Sequence, residues 1–243
     1  MAASPDTAQL DKELGNSVSF GGGLFCGQND EGYAINGQTF QWPRGSRLTW
    51  GIAFSSVGGL SAADCKDAIT EALKEISGCC DVTHAYVANA NTANIKITSQ
   101  RLDGPSGVLA DMQIPFSNAH PDSTQLIGRV DDSEKYGLFD NPPQGWIDFY
   151  RMMLHELEHA HGLGHKPASL QVPALIAPIY SPVMRHLQPA DIGELVRRYG
   201  APQAPVPPPT AGGKPVNFKG IGEVEQDGKL WRGEVKGILQ RVV

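Results

Sequence analysis

Apolar residues at Ala68, Ile69, Ala72, Leu73 and Ile76 recur at helical spacing with polar residues between them, the pattern of a helix that buries one face. Ser61 and Asp64 stand three apart just upstream, the spacing of a capping box, and Gly78 is expected to stop the run. This predicts a long amphipathic helix packed on a sheet. Arg47-Leu48-Thr49-Trp50-Gly51-Ile52-Ala53-Phe54 leans instead towards a period of two, which predicts the first strand of a domain. Short strands are expected around 82–87 and 93–98, where Ile95 and Ile97 share a face, and again at 127–130. The turn sequence Asn141-Pro142-Pro143-Gln144-Gly145 leads into a second helix, expected over 146–162. A last helix opens at Leu187 and runs to Arg198 before Tyr199-Gly200.

The second helix carries the candidate chemistry. In HELEHAHGLGH, residues 155–165, His155 and His159 lie four apart, which puts both imidazoles on one helix face about one turn from each other. Gly162 lets the chain leave the helix through a backbone conformation that other residues adopt at a cost of about 1 kcal/mol, and the turn brings back His165. Three neutral nitrogens with an open fourth position describe a catalytic zinc site, because a structural site would close the tetrahedron with a fourth protein ligand. Glu156 flanks the ligand face and can reach a water there without ligating the metal, the position of a general base. Surface histidines on an ordinary amphipathic helix are the competing reading, and the glycine and third histidine at fixed intervals weigh against it. Glu158 and His161 fill positions with no chemistry and are expected to be solvated. Met152, one turn before His155, is expected to pack beneath the site.

The 243 residues, 40% of them hydrophobic, suit one catalytic domain with small additions at its ends. A net charge of −6 without a long basic run leaves no nucleic-acid footprint and no polybasic membrane patch. Nothing approaches about 18 consecutive apolar residues, so no membrane span is expected, and the first residues lack the basic and apolar regions of a standard signal peptide. Four cysteines are too few for a disulfide scaffold. Cys65 and Cys79 fall at opposite ends of the long helix, about 20 Å apart and out of disulfide reach, and burial is their expected role.

The full HExxHxxGxxH string is the metzincin signature, and further segments are similar to the matrixin branch of that family. Leu48-Thr49-Trp50-Gly51-Ile52 resembles its opening LTYxI strand, and 103–111 resembles DGPxxxLAH. Asp131-Asp132-Ser133-Glu134 resembles FDxDE, Ala174-Leu175-Ile176-Ala177-Pro178-Ile179-Tyr180 resembles the ALMxPxY Met-turn and specificity wall, and 187–200 resembles the closing LxxxDIxxIxxLYG. The resemblance covers about 45–200. It implies a metzincin-like α/β (α+β) fold: a mixed twisted sheet, a long helix, an active-site helix and a small C-terminal subdomain. It further implies a zinc-dependent endopeptidase acting on protein or peptide substrates. The catalytically silent alternative is a structural or binding component of a larger assembly, such as a virion or secreted complex. Extracellular or virion-associated action fits either reading, and the sequence does not fix the compartment.

The resemblance also assigns roles to single residues. A strand at 108–113, with Leu109 and Ala110, would be the sheet edge that pairs with an extended substrate, and Pro178 and Tyr180 would border the specificity pocket. Asp103, Asp131 and Glu134 align with calcium-binding carboxylates, the hard oxygen ligands that ion takes. The histidine positions of the family's structural zinc hold Asp111 and Arg129, so no second zinc is expected. The Met-turn position is held by Ile176, or alternatively by Met184. Leu24-Phe25-Cys26-Gly27-Gln28-Asn29-Asp30 resembles the PRCGxPD cysteine switch, in which a thiolate takes the open position of zinc; it keeps CGxxD but not the preceding Pro-Arg. A disulfide from Cys26 to Cys65, Cys79 or Cys80 and an inert thiol are the other readings.

The expected organisation is an N-terminal extension over 1–44 with a possible short latency segment, the catalytic domain over 45–200, a proline-rich linker over 201–215, and a tail over 216–243. Gly21, Gly22 and Gly23 would form a flexible joint in the extension. The tail carries a hairpin turn signal at Asp227-Gly228, and so small a hairpin is expected to dock on the chain's own domain or on a partner.

Overall fold

The computed structural model describes residues 24–27, 41–115, 124–165 and 173–202, and the backbone of 216–226 and 229–239. The chain divides into two compact units at 202/203. The first is built on a six-stranded sheet of β1 (Phe25–Cys26), β2 (Arg47–Ile52), β5 (Thr83–Tyr86), β6 (Ile95–Gln100), β7 (Val108–Met112) and β8 (Leu126–Asp131), in the order β1-β7-β8-β6-β2-β5. Strands β5, β2, β6 and β8 run parallel, β7 runs antiparallel to β8, and β1 lies parallel to β7 on its outer edge. It is a mixed sheet, as expected, and β3 (Ser56–Val57) and β4 (Leu60–Ser61) form a separate short antiparallel pair before the long helix.

The long helix α1 (Ala62–Cys79) has a complete capping box: Asp64 N–H donates to Ser61 Oγ at 3.2 Å, and Ser61 N–H donates to Asp64 Oδ2 at 3.1 Å. It buries Cys65, Ala68, Ile69, Ala72, Leu73 and Ile76, one stripe of the cylinder. Each fully buried Ile or Leu in that stripe is worth about 1.5–3 kcal/mol of transfer free energy. Gly78 stays inside the helix, which stops one residue later when Cys80 turns extended, so Cys79 is its last residue rather than the first beyond it. Glycine is tolerated one residue from a helix end, where the i+4 ladder is already closing.

The active-site helix α2 (Phe149–Ala160) starts later than the turn sequence suggests, because Ile147–Asp148 (β10) is taken up in a short parallel pairing with Tyr136–Gly137 (β9). All twelve of its residues are buried. The closing helix α3 (Pro189–Tyr199) has proline in its first turn, a Gln188–Asp191 capping box and Gly200 beyond its end at φ 80°. One hydrophobic core joins the stripe of α1, the inner faces of β2, β6 and β8, and α2.

In the second unit β11 (Val216–Gln226) and β12 (Lys229–Leu239) pair antiparallel with Gln226 opposite Lys229, the register of a hairpin. The turn residues Asp227 and Gly228, the glycines at 21–23 and the linker prolines at 203–215 lie outside the described residues. No helix among the described residues is long and apolar enough to cross a membrane.

Candidate active site

The helical spacing of His155 and His159 and the turn at Gly162, whose φ is 85°, bring His165 back over the helix. Ligand atoms of Cys26, His155, His159 and His165 all lie within 4.8 Å of one another. His155 Nδ1 lies 2.8 Å from the Leu175 carbonyl, and His159 Nδ1 lies 2.8 Å from the Leu163 carbonyl. A carbonyl only accepts, so each Nδ1 carries the proton and each Nε2 keeps its lone pair for the cluster. His159 Nε2 is 3.1 Å from His165 Nε2 and 3.4 Å from Cys26 Sγ. Burial first, then His155 and His165 beside it, hold His159 well below the ordinary histidine range. Neutral nitrogens and a thiol at this spacing are the donor set of a borderline-soft cation, and the residues fit zinc.

Glu156 is 2% exposed, and Cys26 Sγ donates to its Oε2 at 3.7 Å. Burial pushes its carboxyl up to about 8, opposed by that thiol contact and reinforced by the charge of Asp111. The backbone around Cys26 explains its position. Phe25 N–H donates to Gly107 O at 3.0 Å and Gly27 N–H to Ala110 O at 2.8 Å on the edge strand. On the other side Cys26 N–H donates to Pro178 O and Tyr180 N–H to Leu24 O, both at 3.0 Å. Residues 24–27 thus fill the cleft as an extra strand between β7 and 178–180, which is where an extended substrate was expected to pair. No disulfide joins Cys26 to Cys65, Cys79 or Cys80. Gln28, Asn29 and Asp30 lie outside the described residues.

Leu109, Met152, Pro178 and Tyr180 line the pocket beside His155 and Glu156, together with Phe25, Arg151, Leu175 and Ala177; Ala110 backs the edge strand and is 1% exposed. Ile176 is fully buried in the turn after Leu175, the residue whose carbonyl holds His155, whereas Met184 is only half-buried. Asp111 and Arg129 face each other in a double hydrogen bond across β7 and β8.

Asp103, Asp131 and Glu134 gather around one loop. Asp131 Oδ2 accepts the N–H groups of Leu102 and Asp103 at 3.1 Å, Glu134 Oε1 accepts Ser106 N–H, and Asp103 accepts Val108 N–H. Burial raises the Glu134 carboxyl, and the charges of Asp131 and Asp103 add to the rise. Among the described residues the His/Cys/Asp/Glu group at common ligand spacing is the one at Cys26, so this triad is gathered but not closed.

Glu158 and His161 are not solvated: both are 0% exposed. The end of the active-site helix packs against α1 and β5, so the whole circumference is covered. His161 Nε2 lies 3.0 Å from His84 Nε2, and His84 Nδ1 lies 2.8 Å from Ser77 Oγ. Burial holds His161 down to about 4 and His84 well below its ordinary value. Two further residues were missed in the sequence. Trp42 Nε1 donates to Ala160 O at 2.8 Å, and Tyr199 Oη donates to His161 O at 2.8 Å, so both cap open carbonyls at the end of the active-site helix. Arg151, a lone cation in an apolar helical run four residues before His155, was the only signal for its place in the pocket wall.

Edge strand, active-site helix and returning histidine together make up the catalytic fold of a metzincin. A family model described as Matrixin matches residues 41–200, well over half of the sequence, and the chain belongs to that family. Matrix metalloproteinase-25 of Homo sapiens is 34% identical over 138 residues, covering 47% of this chain and 24% of that protein. The chain therefore spans about a quarter of the length of that relative.

Proposed function

We propose that this matrixin domain is a zinc-dependent endopeptidase kept latent by Cys26. The reading rests on one observation: three histidine nitrogens and the Cys26 thiol within 4.8 Å, beside a buried carboxyl and on a sheet edge that accepts an added strand. His155, His159 and His165 would hold the metal, which when bound polarises the scissile carbonyl and lowers the pKa of a water. Glu156 takes that water's proton and passes it to the leaving amine. A buried carboxyl beside the ligand cluster is placed for both steps. The edge strand at Leu109 and Ala110 orders the substrate backbone, Pro178 and Tyr180 bound the pocket for its side chain, and buried Ile176 forms the floor of the Met-turn. While residues 24–27 occupy the cleft, a substrate strand has nowhere to pair.

The test compares zinc-loaded wild type, Cys26→Ala and Cys26→Ala/Glu156→Ala on a peptide library. Cys26→Ala should be active from the start, wild type only after cleavage between Cys26 and Leu48 or treatment with a mercurial. The double variant should keep about one zinc per chain and lose activity by about a hundredfold or more. Equal activity of uncleaved wild type and Cys26→Ala would remove the switch; activity in the double variant would remove the Glu156 mechanism.

Calcium at the loop of Asp103, Asp131 and Glu134 is the second part of the proposal, and it rests on gathered negative charge. Millimolar calcium should raise the melting temperature of wild type and not of Glu134→Gln, and no rise in wild type would retire it.

A further inference from the structure

Cys79 and Cys80 are adjacent in the chain, and their side chains converge. Cys79 ends α1 half-buried, while Cys80 turns extended and is 1% exposed; both are free thiols. The two S–H groups donate to one acceptor, Ile76 O, at 3.1 Å from Cys79 and 3.3 Å from Cys80, and the Cys80 N–H donates to the same oxygen at 3.2 Å. A carbonyl has two lone pairs and here meets three donors, so losing the thiol protons leaves no buried acceptor unmet. The two thiol groups also lie in hydrogen-bond contact with each other. That contact holds Cys79 below the ordinary thiol range and, with burial, holds Cys80 above it. The backbone keeps the pair in place. Asp81 N–H donates to Gly200 O at 3.1 Å, Asp81 O accepts Gly45 N–H at 2.9 Å, and Val82 N–H donates to Cys80 O at 2.9 Å. Cys65, by contrast, is 0% exposed, and burial pushes its thiol up to about 12.

We propose that Cys79 and Cys80 form a redox-active vicinal dithiol, a modification site that low-molecular-weight disulfides close into a Cys79–Cys80 bond. The Cys79 thiolate attacks one sulfur of a disulfide RSSR, forms a Cys79–S–SR bond and expels RS⁻, which takes a proton from solvent. Cys79 then no longer accepts the Cys80 S–H. Cys80 gives its proton to solvent, its sulfur attacks that of Cys79, and the second RS⁻ leaves and is protonated in turn. The pair gives up two electrons and two protons, and RSSR becomes two RSH. Closure is intramolecular, and the pinned backbone gives Cys80 a high effective concentration at Cys79. Adjacent Cα atoms stand about 3.8 Å apart, closer than the roughly 4.4 Å or more of ordinary disulfides, so the ring is strained and reopens readily in excess thiol.

The test treats zinc-loaded, full-length Cys26→Ala protein with oxidised glutathione, quenches with acid, and reads intact mass and a peptide map. The peptide that carries both cysteines should be lighter by two hydrogens and hold no glutathione, and reduced glutathione should reverse the change. In the same background Cys80→Ser should stop one step earlier, with one glutathione on Cys79. Cys79→Ser should react about tenfold or more slowly, because the sulfur that remains is buried. Wild type is mapped in parallel, a measurement that needs no variant to fold. A pair that stays reduced in oxidised glutathione overturns the proposal. So does glutathione retained on Cys79 while Cys80 is present, a bond from either sulfur to another cysteine, or Cys79→Ser reacting as fast as its parent.

Discussion

The two helices that pack on one another, α1 and α2, are built by opposite rules. The long helix α1 follows local ones: a reciprocal cap at Ser61 and Asp64, a single apolar stripe, and an ion pair between Glu71 and Lys74 on its exposed face. The active-site helix α2 has no side-chain cap bond at Asp148, and it buries a guanidinium, two imidazoles and two carboxyls along with its apolar residues. Its polar groups are held from outside, by the Leu175 and Leu163 carbonyls and by the Trp42 and Tyr199 caps. A helix can be stabilised by its own sequence or be a frame for groups that its own sequence would disfavour, and this domain sets one of each side by side.

Three measurements sharpen that contrast. The largest effect should come from His159→Ala, which removes a buried imidazole of the proposed zinc site; zinc affinity by equilibrium dialysis should fall by more than the roughly hundredfold typical of a lost outer partner. Retained affinity would mean that the cluster is not the metal site. Next, Ile69→Ala in the stripe of α1 should cost about 2–5 kcal/mol in urea unfolding while zinc stoichiometry stays at one, since it empties core volume on a different helix from the histidine cluster. Loss of metal in that variant would show that the two helices are not independent. The smallest effect is at the cap: Ser61→Ala should cost about 1 kcal/mol at neutral pH. The Ser61 hydrogen bonds lower the Asp64 pKa below its ordinary 3.8. That share of the stability is present above the ordinary value and lost as pH falls through the lowered one, so the gap between wild type and Ser61→Ala should narrow below about pH 3.8. A gap unchanged at pH 2 would mean that the carboxylate adds nothing to the cap.

What could be read in the sequence divides along the same line. The capping box, stripe and closing helix were legible because their signals are local, within four residues of one another. His155, Glu156, His159 and His165 were legible because a motif with fixed spacing stands in for a tertiary arrangement. Glu158 and His161 were read as solvated because nothing local tells a polar residue that His84 and the body of α1 will cover it. Arg151 and Trp42 were passed over for the same reason: their partners at Tyr180 and Ala160 are remote in sequence or belong to another element. The late start of α2 followed from a pairing of β9 with β10 too short to leave a periodic trace.

Trp42 also draws a line for maturation. Its indole ties the end of the active-site helix from the stretch of chain that follows the cleft-filling segment, while Tyr199 ties it from the closing helix. If activation proceeds by cutting, a cut after Trp42 would carry one of those ties away with the released peptide and fray the helix end that positions His159 and Gly162. A cut before Gln41, whose side chain donates to Arg198 O, would free the cleft and leave the cap in place. Of the cuts between Cys26 and Leu48, those that leave Gln41 and Trp42 on the domain should therefore give the more stable product.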